Sequence, residues 1–129
     1  IRDRIYFFFG IQIALLYFFA SAFGISILEG QNYFSHYGLR RKQKEDGSFE
    51  GVKVTHSWNS DHVLGRVILF ELTRHSDHHY MGAKPYQVLE SRDESPMLPY
   101  GYPAMLILSY LPFLFLPIMK KQLKAYNID

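Results

Sequence analysis

The chain has 129 residues, a formal net charge of +2 and no cysteine. This length fits one modest domain, and the lack of cysteine excludes disulfides, iron–sulfur clusters and thiolate zinc sites. The small net charge, without a basic stripe interleaved with aromatic residues, argues against a nucleic-acid partner. Because the first residue is Ile1 rather than Met, we expect the chain to be part of a longer protein.

Residues 5–28 form an uncharged stretch that predicts a transmembrane helix. As a helix the stretch spans about 36 Å, whereas the hydrocarbon core of a bilayer is about 30 Å thick. A buried core helix of a soluble protein is the alternative, but such helices seldom run this long without a charge. The helical pattern continues into polar residues, and Gly38 is the first credible end. We therefore predict that the helix projects about two turns beyond the membrane and carries His36 there.

A charged, turn-rich loop at residues 40–60 precedes a second predicted helix. Ser57, Asn59 or Ser60 can cap this helix, which we expect over residues 61–79. Its predicted buried stripe consists of Val63, Leu64, Val67, Ile68, Leu72 and His75. Several charged side chains interrupt the same segment, so we expect it to lie outside the bilayer centre.

Three histidines, His75, His78 and His79, end this segment in the run RHSDHH. On a helix, positions i, i+3 and i+4 lie on one side, so the imidazoles crowd together. Histidines near a helix C-terminus also complement its dipole, but three within five residues favour a transition-metal site. Iron, zinc, copper and nickel all suit an imidazole-rich site without thiolates.

Two carboxylates near these histidines are candidates for supporting the metal ligands. Glu71 precedes His75 by one turn and can accept an imidazole N–H, and Asp77 can do the same or face water. His36, near the membrane surface, is a weaker candidate ligand when judged by spacing alone. His56 and His62 are weaker still.

The second uncharged stretch, residues 102–119, contains three prolines and predicts a broken or interfacial segment. Basic residues follow both apolar stretches, and the positive-inside rule places both clusters on the cytoplasmic side. Both clusters can be cytoplasmic only if residues 102–119 do not cross the membrane. The predicted organisation is a transmembrane helix at 1–29, a cytoplasmic metal-binding region at 30–101, and an interfacial segment with a basic tail at 102–129.

Four segments together carry a family resemblance: NYFSHYGL at 32–39, THSWNSDH at 55–62, FELTRHSDHH at 70–79 and LPYGYPAM at 98–105. In this order they resemble the integral-membrane alkane monooxygenases, part of the wider group of histidine-box hydroxylases and desaturases. The resemblance covers about three-fifths of the chain, from Gly30 to Met105.

The resemblance implies a centre of two non-haem irons, held almost wholly by histidine at the cytoplasmic end of a helix bundle. His36, His75, His78 and His79 match four of the family's ligands. Two earlier histidine boxes are absent, so the chain by itself is expected to be inactive. Ser35 stands where the family commonly has Glu, which removes one supporting carboxylate.

The expected fold is therefore all-α, a fragment of a membrane helix bundle with a cytoplasmic histidine-bearing helix. The expected reaction is hydroxylation of a terminal alkane C–H bond with O₂ and electrons from a rubredoxin-like carrier, at a bacterial inner membrane. Residues 40–44, which are mostly basic, are expected to help dock that carrier. A xylene-type hydrocarbon monooxygenase and a membrane zinc-binding protein without enzymatic activity are the alternatives.

Overall fold

The computed structural model describes residues 2–128, so Ile1 and Asp129 lie outside the described residues. The regular elements are five α-helices: α1 (Arg2–His36), α2 (Val63–Ile68), α3 (His75–Tyr80), α4 (Tyr102–Ser109) and α5 (Pro112–Ala125). Two 3₁₀ turns, Val54–His56 and Tyr86–Val88, lie in the connections. Within residues 2–128 only two isolated β-bridges occur and no strand, which confirms the predicted all-α class.

Helix α1 is the one helix among the described residues that is long and apolar enough to cross a membrane. Gly10 kinks it by adopting φ 78° and ψ 175° inside the helix. Gly38, with φ 77°, follows its last turn, and the Leu39 N–H closes that turn on the His36 carbonyl. The predictions that the helix continues beyond Leu28, carries His36 and ends near Gly38 are confirmed. Since α1 is continuous across residues 29 and 30, the boundary there marks an expected membrane surface and stays a prediction.

Helices α4 and α5 form a hairpin that packs along the second half of α1. Tyr102, at the start of α4, stacks edge-on against Phe34 with ring centroids 4.9 Å apart. At the end of α4 the Tyr110 hydroxyl donates to the Ser26 carbonyl, more than two turns further back along α1. Helix α5 returns, and its Phe115 ring lies 5.3 Å from Tyr33.

Both ends of this hairpin therefore lie near the His36 end of α1. The break at residues 110–111 separates an eight-residue helix from a fourteen-residue helix, and each is too short to span a bilayer. This geometry supports the prediction that the hairpin would enter and leave a membrane on the same side. Non-crossing of the membrane stays a prediction.

The core lies where the hairpin meets the His36 end of α1 and the segment around Trp58. It consists of Phe34, Trp58, Leu98, Tyr102, Met105, Phe115 and Met119. The Trp58 indole donates to the Tyr37 carbonyl, and the Tyr102 hydroxyl donates to the Trp58 carbonyl, both at 2.8 Å. These bonds satisfy the polar atoms of two large buried rings, so the core fixes the connecting segment to α1.

The predicted continuous helix over residues 61–79 is wrong. The segment forms two six-residue helices separated by a turn in which Phe70 and Glu71 adopt positive φ of 50° and 61°. Glu71 closes the turn: its N–H donates to the Arg66 carbonyl, and its carboxylate pairs with the Arg66 side chain. Local backbone and charge contacts therefore stop the helix despite its apolar periodicity.

The predicted buried stripe is wrong for the same reason. Once the chain turns, the apolar side chains of α2 and α3 no longer share one face. In α2, Val63 and Val67 are each 70% exposed, and Leu64 and Ile68 are also exposed. Of the six predicted stripe residues, only His75 is buried.

Candidate metal centre

Three imidazoles from two helices converge on one point at the His36 end of α1. His36 comes from the last turn of α1, and His75 and His79 come from one face of α3, four residues apart. Nε2 of His75 lies 3.3 Å from Nε2 of His36 and 3.0 Å from Nε2 of His79. These three residues can each offer one nitrogen within 4.8 Å of the others.

The ring of His36 is oriented by a backbone acceptor. Its Nδ1 lies 2.9 Å from the His56 carbonyl oxygen, and since a carbonyl only accepts, Nδ1 carries the proton. In this tautomer, Nε2 of His36 presents a lone pair toward His75 and His79. A backbone carbonyl that fixes the tautomer in this way is the usual support of a metal-binding histidine.

The electrostatics of the cluster favour the neutral forms of His75 and His79. Burial lowers the pKa of His75 to about 3, and repulsion from His79, His36 and His78 adds to this shift. His79 is more exposed, and partial desolvation, followed by repulsion from His36 and His78, lowers its pKa as well. Neutral imidazoles keep a lone pair free for a cation, so the pKa shifts favour metal binding at neutral pH.

The spacing of the nitrogens fits a shared metal ion. Imidazole nitrogens bind transition metals at about 2.0–2.1 Å, so two ligands at right-angled or tetrahedral positions lie about 2.9–3.4 Å apart. The Nε2 separations of 3.0 and 3.3 Å fall within this range. Each neutral imidazole carries only one N–H. Hydrogen bonds therefore cannot pair all three of these close ring nitrogens with one another. A cation between them resolves the contact.

His78 lies beside this trio rather than in it. Its ring centroid is 6.1 Å from that of His75 and 5.5 Å from that of His79. It lines a separate cavity together with Leu69, Leu72 and other mainly apolar side chains. The sequence prediction that His78 binds metal therefore stays a prediction, and in this geometry it requires a second ion or further ligands.

Asp77 is fully buried, but it faces away from the imidazoles. Lys84 and Arg92 donate to its two carboxylate oxygens at 2.7 and 2.8 Å, and the Glu90 N–H donates at 2.9 Å. Burial by itself raises the pKa of Asp77, but these hydrogen bonds outweigh it and lower the pKa to about 2. Asp77 therefore joins α3 to residues 84–92, and the predicted bond from an imidazole to Asp77 is not formed.

Glu71 is also committed elsewhere. Arg66 donates to both of its carboxylate oxygens at 2.8 and 3.0 Å, and Arg74 lies 3.4 Å away. Its left-handed backbone places it in the turn before α3 rather than on the face of His75. The predicted hydrogen bond from an imidazole to Glu71 is therefore absent from the described part of the chain.

The sequence pattern did not show which helix Asn59 caps. Asn59 was one of three candidates to cap a helix beginning at residue 61, yet it caps α3 instead. Its Oδ1 accepts from the Ser76 N–H at 2.8 Å. The motif THSWNSDH contained the signal, but the helix break at Phe70 and Glu71 hid which helix Asn59 serves.

The sequence of the chain matches a known protein family over the segments that carry these histidines. The sequence profile described as fatty acid desaturase matches residues 4–116. The chain belongs to the fatty acid desaturase family. The match includes all three clustered histidines and His78, so the histidine-bearing segments lie within the family's shared region.

Curated relatives of this family member include hydrocarbon monooxygenases. The chain is 44% identical to alkane 1-monooxygenase 1 of Pseudomonas aeruginosa and 43% identical to alkane 1-monooxygenase 2 of Alcanivorax borkumensis, over 88% and 91% of its length. It is 31% identical, over 78% of its length, to the xylene/toluene monooxygenase hydroxylase component of Pseudomonas putida. The resemblance seen in the motifs is thereby confirmed. The chain spans 26–31% of the length of these three relatives.

Proposed function

We propose that this chain is the metal-binding part of a membrane monooxygenase that hydroxylates terminal C–H bonds of alkanes. The convergence of His36, His75 and His79 on one point carries the proposal. The 40–44% identity to several alkane 1-monooxygenases gives it its substrate class. The more distant xylene/toluene relative makes oxidation of aromatic methyl groups the second candidate.

The proposed cofactor is a pair of iron ions. When bound, iron supplies the redox chemistry for the reaction of R–CH₃, O₂, two electrons and two protons to R–CH₂OH and water. His36, His75 and His79 would hold one ion, and His78 would contribute to the second. Residues outside this chain must supply the other ligands, because four histidines are too few for two irons.

The proposed route for the alkane is apolar. A cavity of about 190 Å³ lies between α1, α4 and the end of α2, and its walls include Ile27, Phe34 and Leu69. Tyr102 forms part of this wall, and its ring centroid lies 6.3 Å from that of His75. One aromatic ring therefore separates an apolar cavity from the histidines, an arrangement that suits a hydrocarbon substrate.

The proposed location is the inner membrane of a bacterium, with the histidines on the cytoplasmic side. Helix α1 would cross the lipid, and the α4–α5 hairpin would enter and leave on the cytoplasmic side. Electrons would arrive from a rubredoxin-like carrier. A reporter fused after residue 129 tests the topology: cytoplasmic signal is expected, and periplasmic signal contradicts it.

The decisive experiment uses the complete protein that contains this chain. We expect it to bind iron, to convert octane to 1-octanol, and to place one ¹⁸O atom from ¹⁸O₂ in the product. His79→Ala should lose iron and activity together, whereas His62→Ala, at an exposed histidine outside the cluster, should keep both. Zinc without iron would favour a non-enzymatic metal protein. Oxidation of xylene but not octane would favour the second candidate.

A further inference from the structure

The segment 57–60 passes, fully buried, between the two helices that carry the clustered histidines. On one side it is fixed to the end of α1: the Trp58 N–H donates to the Ser35 carbonyl and the Trp58 indole to the Tyr37 carbonyl, both at 2.8 Å. These acceptors flank His36 directly. The position of residue 58 is therefore tied to the position of His36.

On the other side, the Asn59 side chain holds the first turn of α3. Its Oδ1 accepts from the Ser76 N–H and its Nδ2 donates to the Ser76 hydroxyl, both at 2.8 Å. The local N-cap residue, Arg74, makes no capping hydrogen bond through its side chain. A six-residue helix is marginal by itself, so its placement depends on contacts such as these.

The backbone of Asn59 cannot follow α3 if that helix shifts. Its N–H donates to the Pro96 carbonyl at 2.9 Å, and its carbonyl accepts from the Leu98 N–H at 2.8 Å. The next residue, Ser60, donates its N–H at 2.9 Å to the carbonyl of Thr73, two residues before the first residue of α3. Hydrogen bonds on both sides therefore fix the backbone at Asn59. The Asn59 side-chain amide bonds to the residue that follows His75.

We propose that Asn59 is a positioning residue that sets His75 and His79 opposite His36. The proposal rests on the metal centre proposed above and adds the residue that fixes the spacing of its ligands. Without the amide, the Ser76 N–H loses its acceptor in a buried site, and α3 loses the contacts that fix its first turn relative to α1. The Nε2 separations of 3.0 and 3.3 Å then change, although none of the three imidazoles has been altered.

The test measures Co²⁺ binding to the metal-free complete protein. Asn59→Leu removes both hydrogen bonds at similar side-chain size, and Asn59→Asp keeps an acceptor for the Ser76 N–H. Gln87→Ala is the matched control, since it removes an exposed amide. We expect Asn59→Leu to weaken Co²⁺ affinity about 10- to 100-fold and to shift the visible absorption of bound Co²⁺. Asn59→Asp should recover most of the affinity, and the control should match the wild type.

The outcomes separate the two proposals. If Asn59→Leu keeps the wild-type Co²⁺ spectrum and affinity, Asn59 does not position the histidines. If it lowers only the melting temperature, the role is structural and the positioning proposal is wrong. If Asn59→Leu does not fold, Asn59→Ser, whose shorter side chain does not reach Ser76, is read by the same spectral criterion. A wild-type protein that binds neither Co²⁺ nor iron overturns the metal centre itself, and this proposal with it.

Discussion

Replacing Asp77 by Asn tests whether a buried ion cluster holds the histidine helix in place. Asp77 has no exposed surface, and its partners Lys84 and Arg92 are 16% and 32% exposed. Asn keeps one acceptor oxygen but no charge, so two partly buried cations lose their main counter-ion. The 3.4 Å contacts of Glu90 with both cations compensate weakly, because Glu90 is 64% exposed.

The expected loss follows from the pKa. The pKa of Asp77 falls from 3.8 to about 2, which at about 1.36 kcal/mol per unit corresponds to roughly 2–3 kcal/mol at neutral pH. Since the pKa is lower in the folded state, this stability is complete above the unfolded pKa and disappears as pH falls through 2. About half should remain at pH 3, so the difference between wild type and variant narrows as pH falls.

Hydrogen exchange read by mass spectrometry localises this effect in the complete protein. Amides of residues 75–92 should lose protection by up to roughly 50-fold in Asp77→Asn at pH 7. Asp93→Asn is the control, because it removes an exposed carboxylate directly beside the same segment. Equal protection in Asp77→Asn and Asp93→Asn would refute the reasoning. A difference that grows below pH 3 would contradict the sign of the linkage.

Three further predictions use other features of the fold. Gly38→Ala should destabilise the protein by about 1–2 kcal/mol in thermal unfolding, because φ is 77° and a Cβ would lie 2.7 Å from a leucine side chain; Gly24→Ala, where nothing lies within 4 Å, should cost nothing. Ile27→Phe should narrow the apolar cavity and shift product formation toward shorter alkanes in competition assays. Charge reversal at Arg41 and Lys42 should slow carrier-dependent turnover at low salt, with the defect shrinking as salt rises.

Matched variants decide the last two of these predictions. Ile25→Phe adds the same ring on the same helix at a 61% exposed position, and it should leave the alkane preference unchanged. If both phenylalanine variants shift the preference equally, the cavity does not select the substrate. Charge reversal at Lys120 and Lys121, also exposed, should not slow the carrier. An equal loss of carrier-dependent turnover in that variant would show a general charge effect instead of docking by residues 40–44.

Hydrophobicity and spacing along the chain determined α1, its end at Gly38 and the pairing of two histidines. A long uncharged run with few breaking residues favours a helix by its own composition, so α1 needed no tertiary information. Positions 75 and 79 share a face on any helix, however short, and their pairing survived the loss of the longer predicted helix. The prolines after residue 101 likewise predicted a broken segment, and in the structure this segment forms the α4–α5 hairpin.

Tertiary structure decided what the local pattern could not. The break within residues 63–75 is an exception, because a local contact causes it: Arg66 and Glu71 close a turn that the apolar periodicity does not predict. A carboxylate pairs most favourably with a nearby cation. Glu71 and Asp77 therefore bind arginine and lysine side chains and not the imidazoles. Asn59 meets Ser76 across 17 residues, and His36 meets His75 across 39. Contacts at such separations depend on how the helices pack, because no local spacing encodes which distant residues face each other.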